Sequence, residues 1–225
     1  MSHAMTEDQL RHEICRVGHS LFERGYVHAT AGNISARLPG GAGFLITPTD
    51  ACLGFLEPER LAKVDAQGQQ RSGDRASKTI ALHRRIYDAS PQAGCVIHTH
   101  STHLVALTLQ DLPPPGSDLI PPITPYFVMK VGHVPLIAYH RPGDPAVGEL
   151  VSQAIAQARA RGAPLRAVML ERLGPNVWHE TPAAAMATLE ELEETARLWL
   201  LSGKAAPALR PEQIDELRQV FGAAW

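Results

Sequence analysis

The sequence predicts a mixed α/β fold, one domain with a largely antiparallel sheet flanked by helices. Three observations predict it. Helix-period and strand-period segments interleave along the chain, yet short strand-like pieces also sit in hairpin-like pairs, which a purely parallel βαβ chain would lack. At 225 residues, 44% hydrophobic and 20% charged, the chain is long enough to bury a full core. No internal repeat or low-complexity linker divides it.

Thr6 to Arg24 reads as a first helix. Thr6 and Gln9 form a capping-box pair, Leu10, Ile14, Val17 and Leu21 keep helical spacing, and Gly25 stops it. "GNISARL" and "GFLITPT" follow as strands around the turn "PGGAG". "SKTIALHRRIYDAS" is a second helix with Ser77 as N-cap and Ile80, His83 (or Arg84) and Tyr87 on one face. "CVIHTH" is a strand, after which Ser101 or Thr102 caps a helix through "HLVALTL". "YFVMKV" and "VPLIAY" read as two strands around Gly132. "DPAVGELVSQAIAQARARG" is a capped helix ended by Gly162, and "RAVML" is a strand. "TPAAAMATLEELEETARLWLLSG" is a long helix with Thr181 as cap, Pro182 in its first turn and Glu193–Arg197 as an exposed (i, i+4) pair. "RPEQIDELRQVFG" closes the chain as a shorter helix.

Charge and composition exclude several function classes. A formal charge of −2 with no Lys/Arg-rich block gives no field for nucleic acid. The longest apolar runs, "AVML" and "LWLL", are far too short to span a bilayer. The polar start "MSHAMTEDQL" lacks the apolar core of an export signal. Cys15, Cys52 and Cys95 form no CxxC pair, which suits a reducing cytoplasm.

The 11 histidines stand out, above all "VIHTHSTH" at 96–103. Strand alternation turns His98 and His100 to one face, where their imidazoles can converge on one cation. His103 lies past the strand end at an odd offset. Two histidines are half a site, since Zn²⁺ and similar ions take at least three protein ligands. An isolated HxH reads equally as strand-end histidines bonded to their neighbours.

"GNIS" (32–35), "ITPTD" (46–50), "SKTIALH" (77–83) and "HTHSTH" (98–103) occur in that order. In this arrangement the chain resembles the class II aldolase/adducin family over roughly residues 7–203. The segments at 121–145 and 189–201 look most like its 3-oxo-tetronate 4-phosphate decarboxylase branch. The resemblance implies a single-domain, three-layer α/β/α sandwich and a homotetramer with active sites near subunit interfaces. It also implies a divalent metal, Zn before Mn or Ni, that stabilises an enediolate. By it, His98 and His100 bind the metal, and Gly32, Asn33, Thr47, Thr49, Ser77 and Lys78 contact the phosphate of a sugar or sugar-acid substrate. The residues alone read more plainly: Gly32-Asn33 as a turn before a strand, Lys78 as a solvated helix-start residue. Asp50 follows the threonines, where a carboxylate would repel a phosphate.

The sequence departs from the family pattern at two positions. The family's catalytic glutamate falls nineteen residues before the first histidine of HxH, at Thr79, with His83 four further on as the pattern has it. The third metal histidine falls at Leu173. Threonine is no general base at neutral pH, and leucine offers no lone pair. Glu171, His133, His140 and His179 are candidate replacements. Two readings follow: a metal-dependent lyase acting by decarboxylation or aldol cleavage, or a non-catalytic family member that keeps the fold and binds a ligand or partner.

Overall fold

The computed structural model describes residues 5–225; the first four residues of the polar N-terminal stretch lie outside the described residues. The fold is mixed α/β, with eight strands among the described residues. The described backbone groups into two units, one of residues 5–100 and 178–186, the other of 101–177 and 187–225.

In the first unit, α1 (Glu7–Glu23) starts where expected. Thr6 Oγ1 accepts from Gln9 N at 3.2 Å, and Gln9 Oε1 accepts from Thr6 N at 2.9 Å. Its apolar stripe sinks inward: Ile14, Val17 and Leu21 are fully buried, each contributing about 1.5–3 kcal/mol. Five strands follow in the spatial order β4-β3-β2-β1-β5: β1 (Asn33–Arg37), β2 (Phe44–Ile46), β3 (Ala62–Val64), β4 (Gln70–Ser72) and β5 (Cys95–His98). Every pairing among them is antiparallel. β3 and β4 are three residues each, too short to show a period, and sequence reading does not find them. Helix α2 (Ile80–Ala89) begins two residues later than Ser77 as N-cap predicts. Thr79 is its cap residue and already αR, while the Ser77 hydroxyl bonds Thr79 Oγ1 at 2.9 Å. His83, Ile86 and Tyr87 form its buried face, and Tyr87 stacks on Phe44 at 4.8 Å.

In the second unit, α3 (Thr102–Leu107), β6 (Leu136–Ile137), α4 (Pro145–Ala160) and β7 (Ala167–Leu170) are followed by β8 (Gly174–His179), whose last two residues belong to the first unit. Asp144 caps α4 by accepting from Ala146 N at 3.0 Å. β7 pairs β8 antiparallel and β6 in parallel. α5 (Pro182–Leu201) starts in the first unit and runs into the second, and α6 (Pro211–Phe221) lies wholly in the second.

Two expectations fail in this unit. The apolar run "YFVMKV" is no strand: Phe127–Val131 is a π-helical turn ended by Gly132, and Phe127 packs edge-on against Trp225 at 5.7 Å. Aromatic and β-branched residues favour any half-buried surface, so they mimic a strand signal here. Glu193 is no exposed partner of Arg197 either; the carboxylate is buried. It accepts from the amides of His103 (2.9 Å) and Leu104 (3.1 Å) and bonds His103 Nδ1 at 2.8 Å, capping α3, while Arg197 pairs with Glu194. Among the described residues no helix is long and apolar enough to cross a membrane.

Candidate functional site

Strand register builds the site. β1 and β5 run antiparallel with Asn33 opposite His98 and Ser35 opposite Val96. Directly paired residues project to the same face, so Asn33, Ser35 and His98 share one side of the sheet. Ile34, Ala36, Ile97 and Cys95 point to the other side and are fully buried. Pairing at Asn33 requires the chain to turn beside His98, and Gly32 makes that turn at φ +86°. A Cβ on Gly32 would lie 2.8 Å from the His98 carbonyl oxygen. The glycine is therefore dictated by close approach to the strand that carries the histidines, not to a phosphate alone.

The regular strand ends at His98, yet His100 keeps to the same side. The two rings stand 5.1 Å apart between centroids, at 70°. His98 is buried and His100 half-buried. Burial, and secondarily the neighbouring His28, push the His100 pKa down, so both a proton and a cation would compete for a neutral imidazole. His28, exposed in the loop before β1, is a residue sequence reading passes over. On β1, the buried Asn33 Oδ1 has no protein hydrogen-bond partner.

Helix α2 covers the Ser35 side. His83 is fully buried, with Nδ1 2.7 Å from Ser35 Oγ, which lies 2.8 Å from the Tyr87 hydroxyl. Desolvation, with a smaller contribution from His98, pushes the His83 pKa down to about 3, so the ring is neutral. One helical turn earlier stands Thr79, half-buried, its hydroxyl taken by Ser77. No carboxylate occupies this helix start.

The phosphate candidates come together in part. The amide of Thr49 donates to Arg75 O at 2.9 Å and that of Ser77 to Thr47 O at 3.2 Å, so "TPT" and "ASK" lie side by side. Thr49 is half-buried, Ser77 is buried and Lys78 is exposed. Thr47 is sealed in the core, its hydroxyl accepting from Ile34 N at 3.2 Å. Asp50 is exposed, in the left-handed region at φ 56°.

The candidate replacement ligands each have local partners. In the first unit, His179 Nδ1 accepts from Glu180 N at 2.9 Å. In the second, Leu173 lies in the turn after β7, and Glu171 accepts from Tyr139 N at 2.8 Å. His133 bonds Asp118 at 2.6 Å and stacks on Trp225, and His140 bonds its neighbour's carbonyl. Among the described residues, no three His, Cys, Asp or Glu side chains gather as a metal-holding group.

Comparison with known proteins places this geometry. Residues 12–200 match the Class II Aldolase and Adducin N-terminal domain. A 3-oxo-tetronate 4-phosphate decarboxylase of Cupriavidus necator is 55% identical over 225 residues, covering 98% of this chain and 99% of the relative. The crystal structure of Escherichia coli YgbL, a candidate aldolase/epimerase/decarboxylase, superposes with a TM-score of 0.85 at 41% identity, covering 94% of this chain and 99% of that one. An L-fuculose 1-phosphate aldolase shares the fold at a TM-score of 0.81 and 20% identity, covering 99% of this chain and 100% of that one.

Proposed function

The chain belongs to the class II aldolase/adducin family, and on that premise we propose that it cleaves a carbon–carbon bond of a phosphorylated 3-oxo sugar acid by decarboxylation. The observation that carries this reading is a site without a carboxylate base: two convergent imidazoles and a buried amide, with a hydroxyl at the helix position where an aldolase needs a base. Retro-aldol cleavage begins by removing a hydroxyl proton, which Thr79 cannot do. Loss of CO₂ from a 3-oxo acid needs no such base. The C1–C2 bond breaks, its electron pair stays on C2 and spreads to the C3 oxygen, and C2 then takes a proton. The Cupriavidus relative's name describes this substrate class, and its identity extends along the whole chain.

The donors fit a divalent ion held by two histidines. His98 and His100 supply nitrogen donors, and the unpartnered Asn33 Oδ1, opposite His98, supplies an oxygen. That set suits Zn, Mn or Ni with remaining positions open to substrate oxygens, and is too small for a structural zinc site. Such an ion, when bound, supplies positive charge as the electron sink beside the C3 oxygen. The chain's own residues do the rest. Lys78 brings an ammonium, and Thr49 and Ser77 hydroxyls, for the phosphate; burial of His98 and Thr99 keeps bulk water from the reacting end. Family membership further supports a homotetramer, and Leu201, Val220 and Phe221 are large apolar side chains left exposed.

The test is ¹³CO₂ release from a 1-¹³C-labelled 4-phosphorylated 3-oxo-tetronate by the full chain with Zn²⁺, Mn²⁺ or Ni²⁺. Turnover that disappears in His98→Ala is expected. No turnover with any of the three ions overturns the reading. The Thr79–Ser77 hydroxyl pair favours a second reading, a member that binds the phosphorylated acid without turning it over. Calorimetric binding of the substrate with no CO₂ released would establish it.

A further inference from the structure

The second unit holds a cavity of about 400 Å³, a size that suits one small organic ligand. Its wall is largely apolar, with Leu107 and Leu119 buried at its base and the half-buried Trp199 indole at its side. Three charged side chains interrupt that wall: Asp111, Asp118 and Lys204. Asp118 is fixed in place. Leu119 N donates to Val134 O and Leu136 N to Ser117 O, each at 2.9 Å, which ties this segment to the start of β6. Asp118 Oδ1 accepts from Val134 N at 3.1 Å, and Oδ2 accepts from His133 Nδ1 at 2.6 Å. A carboxylate offers about four acceptor positions, so these two bonds leave capacity for a ligand donor.

Lys204 is held in a backbone conformation that lysine rarely adopts. It sits in the left-handed region at φ 59°, a position that glycine or asparagine ordinarily fills after a helix. Its amide closes α5 by donating to Trp199 O at 2.9 Å. The half-buried ammonium reaches only the Asp111 carbonyl oxygen, at 3.5 Å, and forms no ion pair among the described residues. The Asp111 carboxylate bounds the same cavity and also has no partner among the described residues. Backbone cost of this kind gathers where a ligand is held.

We propose that this cavity binds an α-amino acid with an apolar side chain, at a site that shares no residue with the two-histidine site. The ligand carboxylate pairs with Lys204, its ammonium with Asp118 and Asp111, and its side chain lies on Leu107, Leu119 and the Trp199 ring. Charge complementarity selects this occupant. A simple carboxylic acid would face two carboxylates with one lysine to hold it, and a simple amine would leave the Lys204 ammonium without a counter-charge. A sugar phosphate would bring more negative charge and leave the apolar wall uncovered. A zwitterion supplies both counter-charges at once, and charge-assisted hydrogen bonds are the strong ones. The assignment does not depend on the chemistry at His98 and His100.

The test is titration of the full chain with L-leucine, L-methionine and L-phenylalanine, followed by calorimetry and by tryptophan emission. At least one should bind with a Kd below roughly 1 mM. No binding of any of the three to the folded chain overturns the site. His98→Ala should bind the same amino acid equally well. Loss of binding in that variant would put the amino acid on the histidines, and the assignment would fail. The amide of that amino acid, which lacks the carboxylate, and the acid that lacks the amino group should each bind about 10-fold more weakly or worse. Either analogue binding as tightly as the amino acid overturns the zwitterion. Lys204→Gly separates binding from folding. Glycine suits φ 59°, so its Tm should equal or exceed that of the unaltered chain while affinity falls about 10-fold or more. Lys204→Gln, which keeps the backbone cost, should lose the same affinity. Undiminished affinity in either variant removes Lys204 from the site and the proposal with it.

Discussion

Replacing Gly32 by alanine should damage the site through the backbone alone. Gly32 sits at φ +86°, where an L residue costs about 1–2 kcal/mol. The added methyl would also stand 2.8 Å from the His98 carbonyl oxygen, 3.1 Å from Val27 Cγ1 and 3.3 Å from Leu53 Cδ1. The oxygen belongs to a ladder strand and cannot swing aside, so overpacking adds about 1–3 kcal/mol. Reduced freedom of the unfolded chain returns about 0.4–1 kcal/mol. The net loss is about 1–5 kcal/mol, a fall in Tm of roughly 2–4 °C per kcal/mol for a chain of this size. Gly40→Ala is the internal control. It has φ +66° and nothing within 4 Å of its Cβ, so it carries the conformational cost without the collision. Thermal melts of the two variants side by side isolate the contact with His98. Equal destabilisation would refute the argument that Gly32 is set by close approach to β5.

Three further predictions follow from buried polar groups. Glu193→Ala strips two α3 amides and His103 Nδ1 of their acceptor and should cost about 2–4 kcal/mol in urea unfolding, a loss that an exposed Glu193 would not produce. His83 has a folded pKa of about 3 against an ordinary 6.5, so the unfolded state binds the extra proton and stability falls as pH drops from 6.5 toward 3, by up to roughly 4–5 kcal/mol; His83→Gln should flatten this acid limb, and an unchanged slope would place the proton elsewhere. Thr79→Glu puts a carboxylate one turn from His83 and should raise Zn²⁺ affinity about 10-fold or more if a metal occupies this site, with isothermal titration as the readout.

Much of the chain was legible because its signals are local. The Thr6–Gln9 box, the Asp144 cap and the stripe Leu10-Ile14-Val17-Leu21 each specify an element within one or two turns, and the structure keeps all three. The HxH pair was legible for the same reason, its geometry being a property of neighbouring residues. The failures needed partners remote in sequence. Glu193 reads as a surface (i, i+4) residue until α3, ninety residues earlier, presents its amides. "GPNVWH" opens with Gly, Pro and Asn, residues typical of turns, yet pairs with β7 from Leu170↔Gly174 to Ala167↔Val177. Ser35 and Tyr87 carried no functional signal at all, since only the packing of α2 on β1 joins them to His83.

His100, rather than His98, separates the two readings of function. His98 has structural work regardless of chemistry: it pairs with Asn33, its carbonyl crowds Gly32, and it is buried. A member that had lost catalysis needs only a buried side chain there, since the ladder and the carbonyl contact are made by the backbone. His100 has no ladder partner, lies beyond the regular strand and is half exposed, so packing gives little reason for an imidazole there. Its ring nonetheless stands 5.1 Å from that of His98, in an environment that favours the neutral, ligating form. His100→Ala should therefore shift stability by no more than about 0.5–1 kcal/mol, as partly exposed substitutions do, while abolishing metal binding and CO₂ release together. A large loss of stability with metal affinity intact would show that His100 is held for the fold, and the case for a working metal site would lose its strongest residue.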